Sequence, residues 1–142
     1  MHMILYYCIS QAIQCHKGKS GENMQFKQNE TIYTQIEKYL KKRIFTGECA
    51  PGERLPAIRE FAVLMKVNPN TIVKVYADLE QEELIFSERT NGKFVTDNIE
   101  LLRVEKSKFI QNEVRDFLSS IKDMTENEQD IINYIRENYG NV

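Results

Sequence analysis

A chain of 142 residues has room for one domain, or a small domain with an appendage, and not for a large enzyme module beside anything else. Its 19 basic and 21 acidic side chains leave a net charge of -2, so no global excess of cations announces a nucleic-acid protein, although cations gathered on one face could still serve DNA. No run approaches the roughly 18 to 20 apolar residues that a membrane span needs, and neither a Gly-rich phosphate loop nor a nucleophile, base and orienter set is present, so no membrane partner and no catalytic residues are expected.

Charge is not spread evenly. Residues 24–98 carry 11 basic and 11 acidic side chains and residues 99–142 carry 6 and 9, which puts the acidity in the tail. Cys8, Cys15 and Cys49 are an odd number without a CxxC pair, a pattern that suits reduced thiols in a cytoplasmic protein better than a disulfide scaffold. His2, Cys8, Cys15 and His16 lack the usual ligand spacing, so no metal and no cofactor is expected.

Residues 1–23 differ from the rest of the chain. They end in the loop-like HKGKSGEN, and a second methionine, Met24, stands just before strong helical patterning begins. Gly21 and Glu22 are encoded by GGN and GAR codons that can spell a purine-rich ribosome-binding sequence, so translation is expected to start at Met24, with residues 1–23 a leader outside the native protein. A native peptide from residues 3–17, found by mass spectrometry, would contradict this.

From Thr31, the residues Ile32, Ile36, Tyr39, Leu40 and Ile44 mark one face of a helix that ends at Gly47, with Lys38, Lys41 and Lys42 opposite. In CAPGERLP, Pro51-Gly52 signals a turn and Pro56 a helix start. Ile58, Phe61, Ala62 and Met65 then make a short amphipathic helix. Asn68, a favoured N-cap, and Pro69 at the first helical position open the next one. Behind that start Ile72, Val75, Tyr76 and Leu79 form a core stripe, while Asn70, Thr71, Val73 and Lys74 fall on the other face. Two short helices on a tight connection make a helix-turn-helix. Short amide and hydroxyl side chains with a cation on the outer face of the second helix suit a DNA major groove, and suit an ordinary solvated surface as well.

The period then changes. Leu84 to Ser87 and Lys93 to Thr96 are strand-like around a Thr90-Asn91-Gly92 turn, a hairpin in the position of a wing. Arg89 and Lys93 flank its tip, within reach of phosphate or a minor groove. After Asp97 and Asn98 a long helix is expected over 99–121, with Ile110, Val114, Phe117 and Ile121 as a packing seam. Thr125 and Glu128 form a capping-box pattern before Ile131, Ile132 and Ile135. Two helices of this size cannot bury both stripes against each other, so Ile110, Val114, Phe117, Ile121, Ile131 and Ile135 are expected to serve a homodimer, the alternative being packing on the chain's own helix-turn-helix.

The run GECAPGERLPAIREFAVLMKVNPNTIVKVYADLEQEELI, with GKFV after it, resembles the winged helix-turn-helix of the GntR family of bacterial transcription regulators over about residues 31–96. Its PGxxLPxxRExA and VNPNT elements are specific together, and the short two-helix C-terminal part resembles the YtrA-like subfamily. The resemblance implies a mainly α fold: a leader at 1–23, a winged helix-turn-helix with a small β-hairpin wing at 24–97, and a helical dimerisation region at 98–142. It implies DNA contacts from Arg59, from Asn68, Asn70 and Thr71, from Gly92 at the wing tip, and from Arg54 at phosphate. Lys74, Arg89 and Lys93 complete the expected interface. Four departures are notable. Ala57 stands where the family usually has Ser, Val73 near a usual cation, and Glu83 and Thr90 at positions that favour Gly.

The implied function is a sequence-specific repressor that acts as a homodimer on a double-stranded inverted-repeat operator, and YtrA-like proteins often lie in operons with ABC transporters. Any small-molecule effector is unidentified and would sit between the helices or at the dimer interface. The competing reading is a winged-helix protein-interaction module without DNA binding, for which the net acidity and Val73 are the arguments.

Overall fold

Thr31 caps the first helix. Its hydroxyl accepts from the Thr34 amide at 3.1 Å and satisfies one of the N-H groups that a helix start leaves without a partner. The computed structural model describes residues 30–89, 91–124 and 127–141; the leader reading, Thr90 and Thr125 fall outside them. Helix α1 (Ile32–Thr46) ends at Gly47, whose φ of 80° lets its amide reach the Ile44 carbonyl. Ile36, Leu40 and Ile44 are buried and Tyr39 packs beside them. Ile32, expected on the same stripe, is 47% exposed, because it lies a full turn before the first buried side chain.

Helix α2 (Ile58–Met65) starts at Ala57, which has no side-chain oxygen to offer. Half of a capping box survives, since the Ala57 amide donates to the Glu60 carboxylate at 3.2 Å. Helix α3 (Pro69–Gln81) comes next, and its stripe of Ile72, Val75, Tyr76 and Leu79 is fully buried, as the spacing predicts. Tyr76 ties the two helices together. Its ring stacks on Phe61 with centroids 6.0 Å apart, and its hydroxyl donates to the buried Pro56 carbonyl at 2.9 Å.

The turn out of α3 needs a left-handed residue, and Glu83 occupies it at φ 59°. A side chain held there costs about 1 kcal/mol relative to glycine. Glu83→Gly is therefore expected to raise the urea midpoint by the equivalent of about 1 kcal/mol with an unchanged m-value. A lower midpoint would mean that the Glu83 side chain itself stabilises the fold.

Strands β1 (Ile85–Glu88) and β2 (Gly92–Val95) pair antiparallel, with Ile85 opposite Val95 and Phe86 opposite Phe94. Both begin one residue away from the expected positions, since the Leu84 amide still bonds back to the Leu79 carbonyl at 3.0 Å. The hairpin has a third edge that was expected only as a turn. Gly52 and Leu55 donate to the Val95 and Lys93 carbonyls at 2.9 and 2.8 Å, Val95 donates to the Glu53 carbonyl at 2.9 Å, and Arg54 bridges Phe94. The segment before α2 thus holds the wing.

Cys49 lies in the core and is disulfide-bonded, a correction to the expectation of reduced thiols; spacing along the chain says nothing about which sulfurs the fold brings together.

Helix α4 (Ile99–Ile121) is capped by Asn98, whose side chain accepts from the Leu101 amide at 3.0 Å. The chain divides into two compact units inside this helix, between Val104 and Glu105, and Leu102 packs on the core of the first. The second unit contains the rest of α4, helix α5 (Glu128–Asn138) and a 3-10 turn, Tyr139–Asn141. Asn127 caps α5 by accepting from the Gln129 amide at 3.1 Å. No residue of α4 or α5 is buried. Ile110, Val114, Phe117 and Ile135 are each about half exposed, and Ile121 and Ile131 are half-buried. Among the described residues no helix is long and apolar enough to cross a membrane.

Candidate nucleic-acid interface

The connection between α2 and α3 sets where α3 begins. Lys66 takes a left-handed conformation at φ 55°, and the amides of Lys66 and Val67 close α2 on the Val63 and Ala62 carbonyls at 3.2 and 3.0 Å. Asn68 comes directly after, its side-chain oxygen accepting from the Asn70 amide at 2.8 Å. That oxygen is used in capping, which leaves the Asn68 amide group as the end that can reach a base or phosphate. Asn70 is exposed and Thr71 half-buried one step behind it.

Lys74 is exposed on the same side, but its ammonium rests 4.2 Å from the centre of the Tyr33 ring, a cation–π contact from α1. Tyr33 in turn donates its hydroxyl to the Asp78 carboxylate. Burial and then the Asp78 hydrogen bond push the Tyr33 phenol well above its usual range, so it stays a donor. Sequence reasoning did not single out Tyr33, because nothing local marks a contact with a helix 45 residues away.

The carboxylates of α3 and of Glu82 just after it are engaged. Asp78 accepts from Tyr33, Glu80 from Lys93 and from the Ser87 hydroxyl, and Glu82 from Lys41 at 2.8 Å. The hydrogen bonds from Lys93 and Ser87 hold the Glu80 carboxyl below the usual range. Burial pulls Lys41 down, but its bonds to Glu37 and Glu82 outweigh this and raise it. Paired in this way, the acids of α3 present little repulsion to a polyanion.

Arg59, in the first turn of α2, is exposed and makes no hydrogen bond or ion pair among the described residues. Arg54 lies across the wing rather than beside α2. A Cβ built on Gly92 would stand 3.3 Å from Arg54 Nε and 3.5 Å from Nη2, and Gly92 has φ 102°. Glycine is needed there for two reasons, conformation and room for the guanidinium. The two wing cations part company, since Arg89 is exposed while Lys93 is half-buried and pinned to Glu80. The structure therefore brings Arg59, Asn68, Asn70, Thr71 and Lys74 to the helix-turn-helix and Arg54, Arg89 and Gly92 to the wing, and it gives Lys93 to the joint between them.

Residues 32–95 match the family described as bacterial regulatory proteins, gntR family. The chain is 30% identical over 112 residues to the uncharacterized HTH-type transcriptional regulator YhcF of Bacillus subtilis, covering 79% of this chain and 93% of that protein. This protein belongs to the gntR family. It is similar also to the HTH-type transcriptional repressor YtrA of Bacillus subtilis, at 38% identity over 74 residues, which are 52% of this chain and 57% of YtrA. A solved gntR-family transcriptional regulator from Listeria monocytogenes superposes with a TM-score of 0.71 at 30% identity, over 79% of this chain and 98% of that one. With its two helices, hairpin and short helical tail, the chain is a YtrA-like winged helix-turn-helix member of the gntR family, and members of this family are transcription regulators rather than enzymes.

Proposed function

We propose that this gntR-family protein is a repressor that binds an inverted-repeat DNA operator as a homodimer in the cytoplasm, with α3 in the major groove. The observation that carries the reading is the exposed start of α3. Asn70 and Lys74 are exposed there, Arg59 in the preceding helix makes no hydrogen bond or ion pair among the described residues, and every carboxylate of α3 is hydrogen-bonded to a neighbour within the fold. Asn68 and Asn70 suit adenine edges or phosphate, and Arg59 suits the two acceptors of guanine. The half-exposed stripe of Ile110, Val114, Phe117 and Ile135, with Ile121 and Ile131, supports pairing through the C-terminal helices; a two-fold dimer on an inverted repeat reads half-sites about one turn of DNA apart. Repression is then steric, and any effector acts by changing how residues 98–142 hold the two reading heads. Control of a transporter operon is the regulated role that the likeness to YtrA suggests.

Salt dependence tests this against a protein-binding role. Three cations per protomer, Arg54, Lys74 and Arg89, amount to about six phosphate contacts in a dimer, so log affinity is expected to fall with log salt at a slope near -5. A nearly flat slope, or binding to no duplex at any salt, contradicts the proposal.

A further inference from the structure

The outward face of α3 carries one side chain that phosphate recognition does not use. Val73 is 47% exposed, the only large apolar side chain of this helix that is. One turn to either side on the same line stand Asn70 and Ala77, both exposed and both short. Lys74 is drawn toward α1 by its contact with the Tyr33 ring, and Glu80, one turn beyond Ala77, is bonded to Ser87 and Lys93. The result is a low ridge, Asn70-Val73-Ala77, along which the helix backbone can come close to base edges. A β-branched side chain in a helix has essentially one χ1 rotamer, so its methyl groups are held in a fixed place.

We infer that Val73 reads the C5-methyl group of thymine in the major groove and thereby sets a base preference of the operator. This rests on the reading of α3 as a recognition helix. An isopropyl group has no donor or acceptor for a phosphate or for guanine. The feature of the major groove that it can bury against is the thymine methyl, the apolar mark that distinguishes this base. The substitution of valine near the position of a usual cation therefore exchanges a sequence-blind charge for an apolar contact with sequence content.

The test uses the full chain and a duplex it selects from a random DNA pool. Each thymine of that duplex is replaced in turn by deoxyuridine, which removes the methyl and leaves the hydrogen-bonding pattern intact. At one position in each half-site the replacement is expected to weaken binding about three- to fivefold, the equivalent of one buried methyl. Val73→Ala, which removes the contact in both half-sites, is expected to weaken binding to the thymine duplex by about the square of that factor, roughly ten- to twenty-five-fold, and to be indifferent to deoxyuridine at that position, while its circular dichroism and unfolding midpoint stay those of the parent. Selection of a duplex with no uracil-sensitive thymine overturns the inference alone, as does sensitivity that persists undiminished in Val73→Ala. Failure to select any duplex overturns the recognition-helix reading and the inference with it.

Discussion

Tyr76→Ala is expected to destabilise the winged helix by about 3–5 kcal/mol, the range for removing a large buried aromatic side chain. Tyr76 is 1% exposed. It stacks on Phe61 of α2 while its hydroxyl holds the carbonyl of Pro56, the residue that leads into α2. Truncation opens a cavity between the two helices of the reading head and also leaves the Pro56 carbonyl without its partner. Tyr76→Phe separates the two effects. It keeps the ring and is expected to cost only about 1–3 kcal/mol, the penalty of a buried acceptor left unmade. Urea unfolding of both variants measures the difference, and a loss below about 1 kcal/mol for Tyr76→Ala would show that α2 and α3 are held by something else. The pH dependence has its origin in the same burial. Desolvation, and then the nearby Glu60 carboxylate, raise the Tyr76 phenol above its ordinary value of 10.0. The unfolded chain therefore loses this proton first. Its contribution to stability is complete below pH 10 and is lost as pH rises above it, to a smaller extent in Tyr76→Phe, where Tyr33 keeps the same sign of effect.

Arg59→Ala is expected to cost about 1–3 kcal/mol of operator binding per half-site, hence roughly 2–6 kcal/mol for a two-fold site, and to relax specificity at one base of each half-site. Because Arg59 is exposed and makes no internal ion pair among the described residues, the same change should move folding stability by no more than about 0.5 kcal/mol. That separation is what a base-reading side chain predicts. Fluorescence anisotropy with the selected duplex, read beside an unfolding curve, tests it; unchanged affinity would remove Arg59 from the interface, and a large loss of stability would make its role structural.

The helices of this protein were legible because their signals are local. Thr31, Gly47, Asn68 and Pro69 punctuate the chain at the ends of α1 and the start of α3, and the spacing of Ile72, Val75, Tyr76 and Leu79 marks the face that is in fact buried. The positive φ at Glu83 was legible only through the family resemblance, which favours Gly at that position. What was not legible depends on contacts between distant residues. Lys93 looked like a free wing cation, yet the fold brings Glu80, 13 residues away, to its ammonium. Arg54 was expected at phosphate because the family resemblance implies it, and its place against Gly92 comes from the pairing of residues 52–55 with β2. Lys74 looked like an unattached cation on the outer face, and the ring of Tyr33 holds it. Such pairings leave no period in the sequence. The stripe proposed to pair two copies is a different case, because its side chains are half exposed in a single chain and the contact proposed for it lies outside that chain.

Selection of bound duplexes from a random DNA pool tests the central claim most directly. The account predicts enrichment of a two-fold-symmetric sequence whose half-sites lie about one turn of DNA apart, and enrichment of no sequence, with parent and Arg59→Ala protein behaving alike, would contradict it.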